Sequence, residues 1–185
     1  AEIRRYASST TQNLGQLKDG STVNVGGVVA DIELKTDKRG GKMAFLTLDD
    51  MAGRAKIVVF SRTFEKCADK IRKDAIIVVM GSVDTSRDQA TIRANEILTI
   101  EEARKRMTKT VHIRLITPGL EEQTLTALKQ RLLEFKGDCS VMLHFMASPS
   151  EELTVMEVPL KVGPSQELIS NIESFLGESS IWFGN

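Results

Sequence analysis

The sequence predicts a small, closed β-barrel of five strands with one helix between the third and fourth, followed by a small α+β domain. Alternating and β-branched residues mark the five strands, at residues 22–34, 43–48, 55–60, 75–83 and 90–98. Between the third and fourth strands, Phe64, Cys67, Ala68 and Ile71 recur at helical spacing, and Ser61 stands where it can cap that helix. Few small barrels carry a single helix there, but oligonucleotide-binding (OB) folds do. We therefore expect an OB fold over residues 22–99.

Glycine placement supports the barrel. Gly26 and Gly27 interrupt the first strand where a long strand must bend to serve both sides of a barrel, and Gly53 closes the turn between the second and third strands. A leader over residues 1–21 precedes the barrel, with a helical turn at 12–17 that Thr11 can cap. A five-stranded antiparallel sandwich remains the alternative that this pattern leaves open.

The second half of the chain has a different organisation. Residues 100–109 are charged, form helices readily and lack a periodic apolar face, so we expect a helical linker and a domain boundary. Beyond it, residues 110–185 form the predicted α+β domain. Its strands are expected at 111–116, 140–147, 153–158 and 181–183, and its helices at 121–135 and 166–176. Ser165 is placed to cap the second helix, and Gly177 to end it.

Composition indicates a soluble globular protein of 185 residues, 41% hydrophobic and 27% charged. Its zero net charge conceals a division. Residues 1–109 hold 20 Lys and Arg against 15 Asp and Glu, whereas residues 110–185 hold 5 against 10. A basic first part suits a polyanion, and an acidic second part suits a protein partner. No apolar run approaches the roughly 20 residues of a membrane span, and no signal peptide begins the chain, so we expect a cytoplasmic protein cut from a longer one.

The sequence contains no motif typical of catalysis or metal binding. Cys67 and Cys139, with His112 and His144, have no zinc-ligand spacing. There is no Gly-rich phosphate loop, no nucleophile elbow and no Ser/His/Asp set. We therefore expect no metal, no cofactor and no catalytic activity in this chain.

OB barrels commonly bind oligonucleotides on the face of strands two and three, with flanking loops closing over the nucleic acid. Ala44, Leu46 and Leu48 form the natural inward face of strand two, which leaves Phe45 pointing outward as a stacking candidate. Lys56 on strand three is its expected neighbour. An aromatic ring beside a cation suits single-stranded nucleic acid, because every base has a π-face and every link a phosphate.

The loop between the first two strands is expected to be flexible and basic, as phosphate-contacting loops are. The candidate cations, on this loop and on the neighbouring strands and hairpin, are Lys35, Lys38, Arg39, Lys42, Arg54, Arg87 and Arg93. Two bland alternatives stay open. Basic loop residues can be simply solvated, and a one-residue slip of register would turn Phe45 inward.

Two segments of the second domain could contact other proteins. Residues 130–135, Gln-Arg-Leu-Leu-Glu-Phe, look like a peptide that docks on sliding clamps, but Leu125, Leu128, Leu132 and Phe135 make them part of a helix core stripe. At the carboxyl end, Trp182 and Phe183 are candidates for a partner contact, although a terminal strand packing on its own sheet explains them equally well.

The stretch GGKMAFLTLDDMAGRAKIVVF resembles the strand-two to strand-three signature of two groups, the anticodon-binding OB domains of class II aminoacyl-tRNA synthetases and the bacterial DNA polymerase III alpha subunit. The flanking LKDGSTVNVGGVVADIELKTDKRGGK, SRTFEKCADKIRKDAIIVVMGSV and TIEEARKRMTKTVHIRL resemble the polymerase subunit throughout. In the second domain, GDCSVMLHF and GPSQELISNIESFLG look like the same family. The chain is therefore identified by resemblance as a carboxyl-terminal fragment of that subunit.

This resemblance implies a non-catalytic tail of a replicative DNA polymerase. Its OB module would lie near single-stranded template DNA, and its last domain would engage the tau subunit of the clamp loader and other replisome proteins. In synthetases a strand-two Phe stacks on an anticodon base, and Phe45 matches it, but the strand-three position that often carries Gln is Lys56 here, which argues against anticodon recognition. The alternatives are an RNA-binding OB module and a purely structural interaction module.

Overall fold

The computed structural model describes residues 2–86 and 89–184. The chain divides into two compact units, Ala1–Ala103 and Arg104–Asn185. A helix, α2 (Ile100–Met107), contains the division between them. No helix among the described residues is long and apolar enough to cross a bilayer.

The first unit is a closed five-stranded barrel. Its strands are β1 (Thr22–Thr36), β2 (Lys42–Asp49), β3 (Arg54–Val59), β4 (Ile76–Asp84) and β5 (Thr91–Thr99), and α1 (Ser61–Cys67) follows β3. The strands close in the order β1-β2-β3-β5-β4, with β3 and β5 parallel. The predicted barrel of five strands with a helix between the third and fourth is confirmed, and the alternative of a five-stranded antiparallel sandwich is excluded.

The long first strand closes the barrel by pairing on both sides. Residues 22–28 pair with β4 and residues 28–36 with β2, so Val28 pairs with both strands. Gly27 lies just before this change of partner. A Cβ there would approach the carbonyl oxygen of Asp49 to 2.5 Å, closer than packed atoms tolerate. The bend predicted at Gly26 and Gly27 therefore coincides with a close approach of two backbones.

The leader packs against the barrel as two 3₁₀ helices, Glu2–Tyr6 and Thr11–Gln16. Leu14 joins the barrel core and is only 2% exposed. The sequence predicted that Thr11 caps the second helix, but Thr10 occupies the N-cap position. Instead the Thr11 backbone N–H and hydroxyl donate to the Asp50 carboxylate at 2.8 and 2.7 Å. These bonds attach the leader to the turn between β2 and β3.

The helix between β3 and β4 is shorter than its spacing predicted. Phe60 is the N-cap residue and Ser61 is the first helical residue, so Ser61 does not cap. Its hydroxyl donates to Asp37 of the β1–β2 loop instead. Cys67 and Ile71 are buried as expected, but Ala68 is exposed, because the helix changes there to a 3₁₀ turn, Ala68–Lys70.

The second unit contains a four-stranded sheet and two longer helices. Its strands are β6 (Thr110–Ile116), β7 (Lys136–Ser148), β8 (Glu151–Val162) and β9 (Ile181–Gly184), in the order β8-β7-β6-β9. Helices α3 (Glu122–Glu134) and α4 (Gln166–Leu176) contribute Leu128, Leu132, Leu168 and Ile172 to its core. The core role predicted for residues 125–135 is confirmed.

Both predicted ends of α4 are confirmed. The Ser165 side chain accepts from the Leu168 N–H at 3.1 Å, and Gly177 takes φ of +100°, which side chains rarely tolerate. Strands β7 and β8 are longer than alternation alone predicted, because their register shifts at several bulges. Each bulge breaks the alternation on which the prediction depended.

The division of charge between the two parts does not hold at the structural boundary. The first unit carries 16 Lys and Arg against 15 Asp and Glu, and the second carries 9 against 10. The difference arises because Arg104, Lys105, Arg106 and Lys109 belong to the second unit. Each unit is nearly neutral, so function depends on where individual charges lie.

Candidate nucleic-acid interface

One row of side chains crosses the outward face of four barrel strands. Glu33, Phe45, Val58 and Arg93 lie in register on β1, β2, β3 and β5. Their neighbours along β2, Ala44, Leu46 and Leu48, are at most 1% exposed. The predicted outward orientation of Phe45 is therefore confirmed. The row places the Phe45 ring between Glu33 and Val58, with Arg93 on the strand beyond Val58.

Phe45 is half-buried, and Lys35 covers part of its ring. The Lys35 ammonium lies 5.0 Å from the ring centroid and 3.1 Å from a Glu33 carboxylate oxygen. Lys35 was predicted in the loop but lies in β1, paired with Met43. The Lys35 ammonium is therefore close enough to the Phe45 ring for a cation–π contact.

Lys56 is a neighbour of Phe45 on the outer face, as the sequence predicted, but it lies diagonally from the ring. It pairs with Thr47, whereas Val58 pairs with Phe45, so Lys56 is the diagonal neighbour on the same face. Sequence alone does not fix this register, because turn geometry sets which residues pair across a hairpin. Lys56 is exposed and forms, with Thr47, the second row of outward side chains, next to the row that contains Phe45.

A cavity of about 410 Å³ adjoins this second row. Its walls come from the leader, from β2 and β3, and from the residues before β5, and include Leu14, Thr47, Arg54, Lys56 and Gln89. Thr47 and Gln89 were not predicted from the sequence as site residues, and neither was the wall that the leader forms. No local pattern could reveal that wall, because the leader reaches it only after the barrel has closed.

The β1–β2 loop is held by hydrogen bonds, although it was predicted to be flexible. Asp37 accepts from the backbone N–H groups of Arg39 at 2.8 Å and Gly41 at 2.9 Å, and from the Ser61 hydroxyl. The bond from Ser61, followed by those from Gly41 and Arg39, lowers the pKa of Asp37. Gly40, with φ of +83°, permits the tight return. Lys38 and Arg39 are exposed at its tip, and Lys42 begins β2.

Two candidate cations are held by carboxylates. Arg54 donates to Asp49 at 2.9 Å, and Arg93 donates through two nitrogens to Asp84 at 3.0 and 2.7 Å. Hydrogen bonds from Ser86 and then from Arg93 hold the pKa of Asp84 far below its usual range. In each pair, the carboxylate offsets the positive charge of the arginine.

Four other candidate cations of the barrel have no carboxylate partner among the residues that the structure describes. Over residues 2–86 and 89–184, no ion pair is found for Lys38, Arg39, Lys42 or Lys56. These four are the charges available to a polyanion. Arg87, also predicted as a contact, lies outside the described residues.

The two aromatic residues predicted as partner contacts lie on opposite faces of β9. Phe183 is 5% exposed and belongs to the core of the second unit, so its prediction as a surface contact is wrong. Alternation along the strand buries it beneath the helices. Trp182 is half-buried on the other face, where its ring stacks on His112 at 5.2 Å and Arg114 lies over it at 5.5 Å.

A chain of side chains continues from Trp182 across this face. His112 Nδ1 and His144 Nε2 are 2.9 Å apart, and His144 Nδ1 lies 2.5 Å from a Glu152 oxygen. The bonds of His144 and Glu152 join β7 to β8, and those of His112 join β6 to β7. The two histidines therefore bond to each other, and His144 also bonds to Glu152.

Residues 23–100 match a family described as an OB-fold nucleic acid binding domain. Together with the closed barrel of five strands, this match identifies the fold of the first unit as an OB fold. Among solved structures, asparaginyl-tRNA synthetase from Pyrococcus horikoshii aligns with 49% of this chain and 22% of that one, at 23% identity and a TM-score of 0.41.

The whole chain is similar to DNA polymerase III alpha subunits. The subunit of Pseudomonas aeruginosa is 27% identical over 183 residues, covering 98% of this chain and 15% of that protein. Those of Pasteurella multocida and Escherichia coli K12 are 27% and 25% identical and cover 97% of this chain and 16% of each protein. The homologues of this chain are thus DNA polymerase III alpha subunits, which confirms the resemblance found in the sequence. The chain spans about one sixth of their length.

Proposed function

We propose that the barrel binds single-stranded DNA across the outward face of β2, β3 and β5. The observation that carries this proposal is the position of the Phe45 ring, which is outward, partly accessible and flanked by charge on neighbouring strands. A base stacks on such a ring whatever its identity. Its phosphates need cations nearby, which Lys56 provides on the same face and the exposed Lys42 provides at the loop end of β2.

The path of the strand follows from the two kinds of cation. Lys38, Arg39, Lys42 and Lys56 have no ion pair in the described parts of the chain, so their charge is available to phosphates. Arg54 and Arg93 are paired with carboxylates, so they contribute less charge to phosphate binding. The cavity beside Thr47 and Lys56 has room for a nucleotide beyond the one on Phe45.

The test is the affinity of the whole chain for a labelled single strand, measured by fluorescence anisotropy. Phe45→Ala should weaken binding by about 1–3 kcal/mol, the usual contribution of one stacked base. Phe45→Trp should retain it, and Phe45→Leu should behave like alanine, because leucine is apolar but has no π-face. Met51→Ala, at a 91% exposed position in the β2–β3 turn, is the matched control. Equal affinities for Phe45→Ala and the control would exclude Phe45 from the site.

The same measurement distinguishes the other functions of an OB fold. A clear preference for a tRNA hairpin over plain single strands would favour an RNA-binding module. Weak binding that does not respond to salt would favour a structural role in which DNA contact is incidental.

We also propose that the chain is a non-catalytic, carboxyl-terminal part of a cytoplasmic replicative DNA polymerase. The similarity over nearly its whole length to DNA polymerase III alpha subunits supports this. In this proposal the second unit, a small α+β domain, binds a replisome protein, the tau subunit of the clamp loader.

Trp182 is the residue through which to test that partner. Its ring is half-buried on the face of β9 that the core does not use, and tryptophan is enriched among residues that dominate binding energy. Trp182→Ala should weaken binding of purified tau subunit, measured by surface plasmon resonance, whereas Leu153→Ala on the exposed strand β8 should not. Unchanged tau affinity in a folded Trp182→Ala variant would remove Trp182 from that surface.

A further inference from the structure

The second unit contains an open cavity of about 660 Å³ with a basic lining. It lies between the end of α2, the start of β7 and the segment before α4. Lys105, Arg106, Lys109 and Lys136 all line it, which brings together four of the nine cations of the second unit. Glu134 and Asp138 are the acidic residues of the same wall.

The lysines of this cavity have no carboxylate partners. Within residues 2–86 and 89–184, no ion pair involves Lys105, Lys109 or Lys136. Together with Arg106, these exposed lysines outnumber the two carboxylates of the wall, Glu134 and Asp138, so the local potential is positive. The excess of positive charge at the rim therefore favours a negatively charged ligand.

A buried hydroxyl group lacks a partner in the same wall. Thr108 is 6% exposed, and its Oγ1 makes no hydrogen bond within the described structure. Buried hydroxyls are usually paired, and an unpaired one costs about 1–3 kcal/mol. Its neighbours on the wall are already paired. Cys139 Sγ donates to the Thr108 carbonyl at 3.3 Å, and the Lys109 N–H donates to Gly184 at 2.9 Å.

The backbone of the wall also favours an anion. Ser165, the N-cap residue of α4, lines the cavity, so the first turn of this 11-residue helix begins there. Free N–H groups and the helix dipole both attract negative charge at such an end. Opposite it, Lys136 and Cys139 share the partner Val162, which leaves Gly137 and Asp138 as a bulge outside the ladder. Gly137 is required, because a Cβ there would collide with the backbone of Gly163.

We propose that this cavity binds a phosphate group, with Lys105, Lys109 and Lys136 supplying charge and the dipole of α4 adding positive potential at its Ser165 end. A tetrahedral dianion matches several donors that converge from different elements, which a planar carboxylate does not. The phosphate comes from a nucleic-acid backbone or from a free phosphate compound. The site is independent of the OB face, and either can bind without the other.

The test is a titration of the whole chain with inorganic phosphate and with pyrophosphate, at constant ionic strength, followed by amide NMR. The amides of Thr108, Gly137 and Gly163 should shift saturably. The Lys105→Glu/Lys136→Glu variant should bind at least about tenfold more weakly, since each lost charged contact is worth about that factor. Lys129→Glu/Lys161→Glu makes the same charge change at exposed positions of the second unit that do not line the cavity, and should bind normally.

A second pair of variants, Lys105→Gln and Lys136→Gln, covers the case in which charge reversal prevents folding. A short single strand of DNA, added to a Phe45→Ala/Lys56→Glu background, identifies the source of the phosphate. Shifts at the cavity amides with DNA assign a nucleic-acid backbone, and shifts with inorganic phosphate or pyrophosphate alone assign a free phosphate compound. No saturable shift at these amides with any of the three, or equal binding by the cavity and control variants, would overturn the proposal.

Discussion

Neighbouring carboxylates decide what each cation of the barrel can do. Lys35, Arg54 and Arg93 were equivalent candidates with Lys42 and Lys56 in the sequence, but the fold gives each of the first three an acidic partner. Glu33 is two residues from Lys35, but Asp84 meets Arg93 only through the pairing of β4 with β5. A residue's type predicted its charge, and only the tertiary structure revealed its partner.

Asp84 should make the stability of the barrel depend on pH. Its folded pKa lies below its unfolded value because of hydrogen bonds from Ser86 and then from Arg93. Its stabilising contribution is therefore complete above the ordinary carboxyl pKa of about 4, and is lost as pH falls through the folded pKa. The free energy of unfolding of Asp84→Asn should fall below that of the wild type near neutral pH and converge with it in acid.

Urea unfolding at a series of pH values from about 7 down to 2 measures this convergence. Asp138→Asn, which removes an exposed carboxylate from the second unit, is the control. A gap between wild type and Asp84→Asn that stays constant across the acid range would contradict the assignment of this stability to the Asp84 carboxylate.

At the scale of elements, alternation and turn residues sufficed to predict each strand of the barrel to within a few residues. They could not predict register or the partners of the leader. Thr11 and Ser61 illustrate the limit. Both were interpreted as helix caps, yet each bonds a carboxylate far along the chain, Asp50 and Asp37 respectively. Hydroxyl side chains serve local and distant partners equally well, so sequence cannot choose between them.

The bend of β1 gives a prediction for a single glycine. Gly27→Ala would place a methyl group 2.5 Å from the Asp49 carbonyl oxygen and 2.9 Å from Leu48 Cγ. The backbones of β1 and β2 must separate to admit it, so the free energy of unfolding should fall by about 1–3 kcal/mol. Urea unfolding monitored by circular dichroism measures the loss.

Gly15→Ala is the matched control for this substitution. A Cβ at Gly15 meets no atom within 4 Å, and its backbone does not require glycine. Its stability should stay within about 0.5 kcal/mol of the wild type. If Gly27→Ala proved as mild, the approach of β1 to β2 would not be the constraint that retains glycine there.

At the scale of the whole molecule, total charge was a poor guide and local charge a better one. The predicted basic and acidic halves reflected a boundary drawn after Lys109 instead of within α2. Moving it a few residues transferred four cations to the second unit, where three of them line the cavity proposed to bind phosphate. Sequence established the order of the two domains, but only the fold could group charges distant in sequence.

The salt dependence of DNA binding tests whether individual lysines or the net charge of the molecule determine affinity. If Lys42 and Lys56 each contact a phosphate, the logarithm of affinity should fall linearly with the logarithm of salt concentration. Replacing both with Glu should flatten that slope by about 1.4, since each contact with a single strand contributes about 0.7. Lys66→Glu/Lys73→Glu, an equal charge change at exposed positions of the first unit outside its strands, should lower affinity slightly and leave the slope intact. The same flattening in both variants would mean that DNA responds to net charge alone and that the face of β2 and β3 has no specific role.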